Sequence, residues 1–199
     1  MMGESSMGKL IKWLKNKIRG STSSGNSSPA PARIETSEVE KQIDLVIFFN
    51  LSKCENLLRL NPNMAFWQSV VKAICFAESS FNQYETFWES MLGTPKGYDS
   101  KTKMKYMSEG LMQLSYSDAV YHQCEFDIEG DRPKKSDDKT KTIFNIEKNI
   151  KCGLKILDKL VGIHGHYIFN SGNYWAVLKP SNKRHAVFVN KFNQYMKGV

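Results

Sequence analysis

The stretch WQSVVKAICFAESSFN, residues 67–82, decides the fold, because it runs a hydrophobic helix straight into a carboxylate. At about 100° per residue, Trp67, Val70, Val71 and Ile74 share one helix face, and Glu78, four residues beyond Ile74, falls on that face too. The acid therefore points toward apolar neighbours. Lost hydration favours the neutral carboxyl and raises its pKa, which is what a general acid working near neutral pH requires. Ser79, Ser80 and Asn82 end the apolar pattern, placing the acid at a helix terminus where a cleft can open. Taken alone, the same Glu78 also reads as a surface residue at a frayed end, since Glu is almost never fully buried unless paired.

Two further stretches follow in order: SEGLMQLSY at 108–116, and IFNIEKNI at 143–150 with Cys152 and Gly153 behind it. The Glu-Ser pair, the Gly-Leu-Met-Gln run and the Asn-Ile with its glycine resemble the SLT-type lytic transglycosylase catalytic domain of the goose-type lysozyme-like superfamily. The resemblance spans roughly residues 64–160 and thins on both flanks. It implies a mainly α (α+β lysozyme-like) fold, a compact helical domain with a small irregular or β element by the cleft. It also implies a peptidoglycan substrate, with Glu78 as the catalytic acid and Ser79, Met112 and Gln113 at the glycan site. Gln113 offers amide donor and acceptor to a sugar hydroxyl or acetamide, and Met112 a polarizable wall. Residues 110–115 are too short and glycine-led for a helix, and read as extended chain or a tight turn. Many such domains carry a Tyr-Asn-Ala-Gly segment whose tyrosine hydrogen-bonds the acid. Here the chain has GNYWAVL at 172–178, so Tyr174 is the expected substitute, with Tyr116 and Tyr121 competing.

Around this centre, 199 residues with 41% hydrophobic side chains suffice for one core plus an appendage. No apolar run is long enough to span a membrane. The net charge of +8 is uneven: residues 1–33 hold six basic side chains and one acid, which leaves 22 basic against 19 acidic. Residues 1–20 contain GKLIKWLKNKIRG, in which Leu10, Ile11, Trp13, Leu14 and Ile18 gather on one side of a helix otherwise ringed by Lys, Asn and Arg. This cationic amphipathic helix reads either as an attachment to an anionic membrane surface or as a solvated basic leader. It lacks the uninterrupted apolar core of a secretory signal, so the route to a periplasmic, extracellular or envelope location is open. Residues 21–33, rich in Ser, Gly, Pro and Ala, read as a disordered linker, and 34–199 as the lysozyme-like domain.

The domain is expected to open with one helix from a capping box at Ser37 through Ile43, Ile47, Leu51, Cys54 and Leu57, broken by Pro62. After the acid comes an aromatic segment with Glu85, Phe87, Trp88 and Glu89, whose rings read as core or as stacking platforms, then a loop holding Gly93, Pro95 and Gly97. Ser117 is a candidate cap for a helix from Asp118. Residues 125–142 are charged with both signs and read as a long mobile loop; the mixed sign excludes a nucleic-acid stripe. Asn145 caps the next helix, with Ile146, Ile150, Leu154, Leu157 and Val161 on its face. Val187, Phe188, Phe192, Tyr195 and Met196 mark a final helix.

Four cysteines allow three full pairings, and a Cys124 to Cys152 bridge would staple the ends of the charged loop. Cys54 and Cys75 read as buried thiols. His164 and His166 are too sparse for a metal site, and neither cofactor nor metal is expected.

The activity implied is cleavage of the β-1,4 bond between N-acetylmuramic acid and N-acetylglucosamine. In the transglycosylase route the substrate acetamide assists and only one protein carboxylate is needed, leaving a 1,6-anhydro end. If Glu85, Glu89 or Glu109 stands roughly 6.5–9.5 Å from Glu78, it can activate water instead, as in an inverting lysozyme. A solvent-facing Glu109 is the simpler expectation. A noncatalytic glycan-binding module, or a membrane-active basic peptide with a passenger domain, are the alternatives from other classes.

Overall fold

The computed structural model describes residues 38–88, 101–103, 107–171 and 174–198. The basic leader, the linker, Ser37, Glu89 and the loop glycines 93 and 97 lie outside the described residues, as do the side chains of Phe87 and Trp88. Glu38–Val199 form one compact unit.

Two helices open it where one was expected: α1 (Glu38–Leu51) and α2 (Glu55–Leu60). The break has a local cause. Asn50 turns its amide back onto the Val46 carbonyl at 2.8 Å, and the Lys53 and Cys54 amides close short turns on Asn50 and Leu51. The start of α2 has no cap of its own; Asp158, a hundred residues on, accepts from the Leu57 amide at 2.9 Å and from Asn56 at 3.0 Å.

Helix α3 (Met64–Ser79) is capped by Asn63, which takes the amides of Ala65 and Phe66. It is buried on nearly every side, with Trp67, Val71, Ala73, Ile74 and Cys75 at 0% exposure. The Trp67 indole N–H forks between the carbonyls of Leu57 and Asn61, 2.8 Å each, so the largest ring in the core is satisfied. Ser80 and Phe81, both left-handed at φ 52° and 63°, end α3 and turn the chain sharply.

Strands β1 (Thr86–Trp88) and β2 (Met107–Glu109) pair antiparallel, Thr86 facing Glu109. Gly110 at φ 78° then opens a tight turn that Glu109 and Leu114 close with two backbone hydrogen bonds of 2.8 and 3.0 Å. Helix α4 (Tyr116–His122) starts earlier than expected: its cap is Ser115, not Ser117, in a reciprocal box with Asp118. After α5 (Ile128–Asp131) and a 3-10 turn (Thr142–Phe144) come α6 (Ile146–His164), capped by Asn145, then α7 (Ile168–Ser171), a 3-10 turn at Ala176–Leu178 and α8 (His185–Lys197).

The main packing is α3 on α8 and α1 on α6. Helices α3 and α8 run antiparallel, since Arg184 meets Glu78, Lys191 lies over the Phe76 ring and Lys72 over the Tyr195 ring. Phe66, Trp67, Phe169, Phe188 and Phe192 interlock between them.

The charged stretch before α6 is no mobile loop. Asp131 is wholly buried and collects hydrogen bonds from Tyr116 (2.8 Å), the Thr142 amide (2.7 Å), the Thr142 hydroxyl (2.5 Å) and Lys134 (2.9 Å). Burial opposes its charge, but these donors outweigh burial and hold Asp131 below the usual carboxylate range. A disulfide joins Cys124 to Cys152 and fixes the same segment to α6, while Cys54 and Cys75 stay as buried thiols. No described helix is long and apolar enough to cross a membrane.

Candidate active site

Glu78 stands in the last turn of α3, half-buried. Burial pushes its carboxyl up to about 6, against the pull of the Arg184 charge and a hydrogen bond from the Val177 backbone amide. The acid is thus half protonated near pH 6 and still about one-tenth protonated at pH 7, while the Val177 amide and the Arg184 charge await its anion.

Those donors are held in place by the turn motif on the other side. Val177 sits in the 3-10 turn Ala176–Leu178. The preceding Trp175, 2% exposed, donates its indole N–H to the Met112 carbonyl at 2.8 Å. The Val177 carbonyl meets His185 Nδ1 at 2.8 Å, which ties the turn to the start of α8. Arg184 reaches the Glu78 carbonyl from there, 3.5 Å away.

The turn over residues 110–113, whose Met112 carbonyl holds Trp175, is fastened by Asn149 of α6. Its Oδ1 accepts from the Met112 amide at 3.0 Å, while its Nδ2 donates to the carbonyls of Ile143 (2.9 Å) and Glu109 (3.3 Å). A Cβ on Gly110 would lie 2.4 Å from that Nδ2, so both the close approach and the positive φ require glycine here. Gln113 is half-buried; its amide donates to the Gly110 carbonyl (2.9 Å) and the Glu85 carbonyl (3.2 Å). Seven residues separate Glu85 from Glu78, so this bond moors the segment leaving the acid to the Gly-Leu-Met-Gln turn.

Several expected site residues occupy other places. Met112 is fully buried, its sulfur packed where Gly153 leaves room, so it lies beneath the surface and forms no exposed wall. Ser79 is buried and returns its hydroxyl to the Cys75 carbonyl at 2.8 Å, inside its own helix. The Tyr174 hydroxyl has one proton to give, and it goes to Asp118 at 2.5 Å. Tyr116 gives its proton to Asp131, and Tyr121 is exposed.

The expectation of a solvent-facing Glu109 fails outright. Glu109 is 1% exposed and ion-paired with Lys141, itself 4% exposed. A carboxylate inside the domain needs such a cation, and nothing in its neighbours in sequence announces a lysine thirty-two residues on. Glu85 accepts from Asn82 at 2.9 Å on the exposed side of the turn, and Glu89 lies outside the described residues.

A family model, the transglycosylase SLT domain, matches residues 60–179. The chain belongs to this family. No curated protein and no solved structure matches it. As an SLT domain it is a peptidoglycan-cleaving protein whose substrate lies in the cell envelope. The SLT match runs further than the sequence resemblance, through the Ala176–Leu178 turn that carries the Val177 amide.

Sequence reasoning missed Asn149, Trp175, Val177, Arg184 and Asp118. Asn149 did leave a trace, a polar side chain set between Ile146 and Gly153 at helical spacing on an apolar face. The Val177 amide left none, because a backbone donor is the same in every residue but proline.

Proposed function

We propose that this SLT domain cuts the β-1,4 bond between N-acetylmuramic acid and N-acetylglucosamine with Glu78 as its acid and base. Glu78 protonates the glycosidic oxygen, and the bond to the anomeric carbon breaks with positive charge building on the sugar. The acetamide of the same sugar closes on that centre. Glu78, now ionised and held by the Val177 amide, takes the proton of the C6 hydroxyl as that oxygen displaces the acetamide. The product ends in a 1,6-anhydro ring and no water is consumed.

One observation carries this reading: a half-buried carboxyl raised to about 6, with a backbone donor and a cation placed to receive its anion. General acid catalysis works best when the donor's pKa lies close to the operating pH. The one-carboxylate route gains support from Glu109, whose charge is spent on Lys141 in the interior.

The products of purified peptidoglycan test it by mass. An anhydro end is lighter by one water than a reducing end; reducing ends as the main product would replace this route with hydrolysis. Glu78→Gln should cut the rate by roughly 10²–10⁴-fold. Undiminished wall digestion by that variant would favour a different catalytic group.

A further inference from the structure

The charge of the folded part is sorted along the chain. Residues 34–158 carry 16 basic and 19 acidic side chains, whereas residues 159–199 carry six basic and no Asp or Glu at all. That acid-free stretch includes α8 and the turn before it, which sit against the helix bearing Glu78.

In the acid-rich part several lysines are answered by carboxylates: Lys134 by Asp131, Lys141 by Glu109, Lys151 by Glu147 and Lys72 by Asp44. Lys183 and Arg184 are exposed, and no described salt bridge includes them or Lys191. Arg184, Phe188 and Lys191 follow one another at i, i+4 and i+7, so the two cations share the α8 face that meets the end of α3. Arg184 touches Glu78 there, and Lys191 lies 4.1 Å over the ring of Phe76, which makes an edge contact with Phe81. The turn that presents Lys183 is itself built: Asn182 accepts the Arg184 amide at 2.8 Å, and its own amide donates to the Lys179 carbonyl at 2.9 Å.

We propose that Lys183, Arg184 and Lys191 form a cationic strip beside Glu78 that binds the carboxylates of peptidoglycan, those of its peptide stems and of lactyl groups that carry no stem. The proposal rests on the peptidoglycan reading given above and names which part of that polymer the strip holds. A second reason is chemical. Arg184 draws the Glu78 carboxyl down, which works against a proton donor. A bound carboxylate would offset that charge, so substrate itself would strengthen the acid's hold on its proton.

The test uses the full chain carrying Glu78→Gln, which binds without cutting, and peptidoglycan freed of phosphate-bearing polymers. Half of the preparation has its carboxylates converted to neutral amides. Native peptidoglycan is expected to bind more tightly than the amidated form. Adding Lys183→Gln and Lys191→Gln should weaken binding to the native form by roughly fivefold and leave the amidated form unchanged. Equal weakening on both, or none on either, overturns the strip, as does affinity that returns only when phosphodiester polymer is added back. An unchanged thermal melt confirms that the double variant is folded.

The enzyme with Glu78 intact separates this from the function reading. If it cuts native and amidated peptidoglycan with the same KM, the strip fails and the cleavage reading stands. If it cuts neither, the cleavage reading itself fails. With the strip in place, the alkaline limb of kcat should lie at higher pH than that of kcat/KM on native peptidoglycan, and the two should coincide on the amidated form.

Discussion

At the scale of a single residue, the burial of Glu78 makes stability depend on pH. Its folded pKa of about 6 lies above the ordinary 4.5, so the native state keeps a proton that the unfolded chain has lost between those values. Ionising it therefore costs stability as pH rises through about 6, while below 4.5 both states are protonated and the cost vanishes. Glu78→Gln should consequently raise stability above about pH 6, by at most ~2 kcal/mol and less in proportion to its partial exposure. Urea titrations of both proteins at acid and at neutral pH check this, with the difference closing at the acid end. That Glu78 pointed inward was legible because four apolar residues shared its helical phase. What holds its anion was not, since an amide in another turn and an arginine a hundred residues away have no local sign.

Among the elements, the Gly-Leu-Met-Gln turn governs the geometry around the acid. Its Met112 carbonyl holds Trp175, its Met112 amide is held by Asn149, and Gln113 moors the segment that leaves α3. Gly110→Ala would force a methyl against Asn149 at a positive φ, and should cost more than about 1 kcal/mol. Gly153→Ala would meet the Met112 sulfur and should cost about 1–3 kcal/mol by overpacking. Thermal melts of the two variants, read beside their cleavage rates, show whether the turn serves stability alone. The sequence marked this turn by its glycine, but it could not show that Met112 would be swallowed by the gap at Gly153. Likewise the charged segment before α6 looked mobile because its partners are distant: Tyr116 for Asp131, Glu109 for Lys141. The pairing of Cys124 with Cys152 was one of three full pairings open to four cysteines, and the structure makes that bond. Closing 28 residues should stabilise the domain by roughly 3.5 kcal/mol in the chain-entropy model, measurable as the loss on Cys124→Ser with Cys152→Ser.

At the scale of the whole molecule, the helical domain follows a basic leader, outside the described residues, whose expected amphipathic helix at 8–20 reads either as a membrane attachment or as a solvated segment. The compact unit from Glu38 onward has its own core of Trp67, Ile74, Phe144 and Leu157. Deleting residues 1–33 should thus leave digestion of isolated peptidoglycan intact, and a loss of digestion would show that the leader belongs to the enzyme. The long helices α3, α6 and α8 were readable from apolar periodicity and the short α5 and α7 were not, while the split between α1 and α2 came from an asparagine side chain competing with backbone. The most direct measurement is the pH dependence of kcat/KM for glycan cleavage by the unaltered protein. If Glu78 delivers the proton, the rate falls about tenfold per pH unit once pH passes about 6. A rate that stays level or climbs through neutrality would contradict that role.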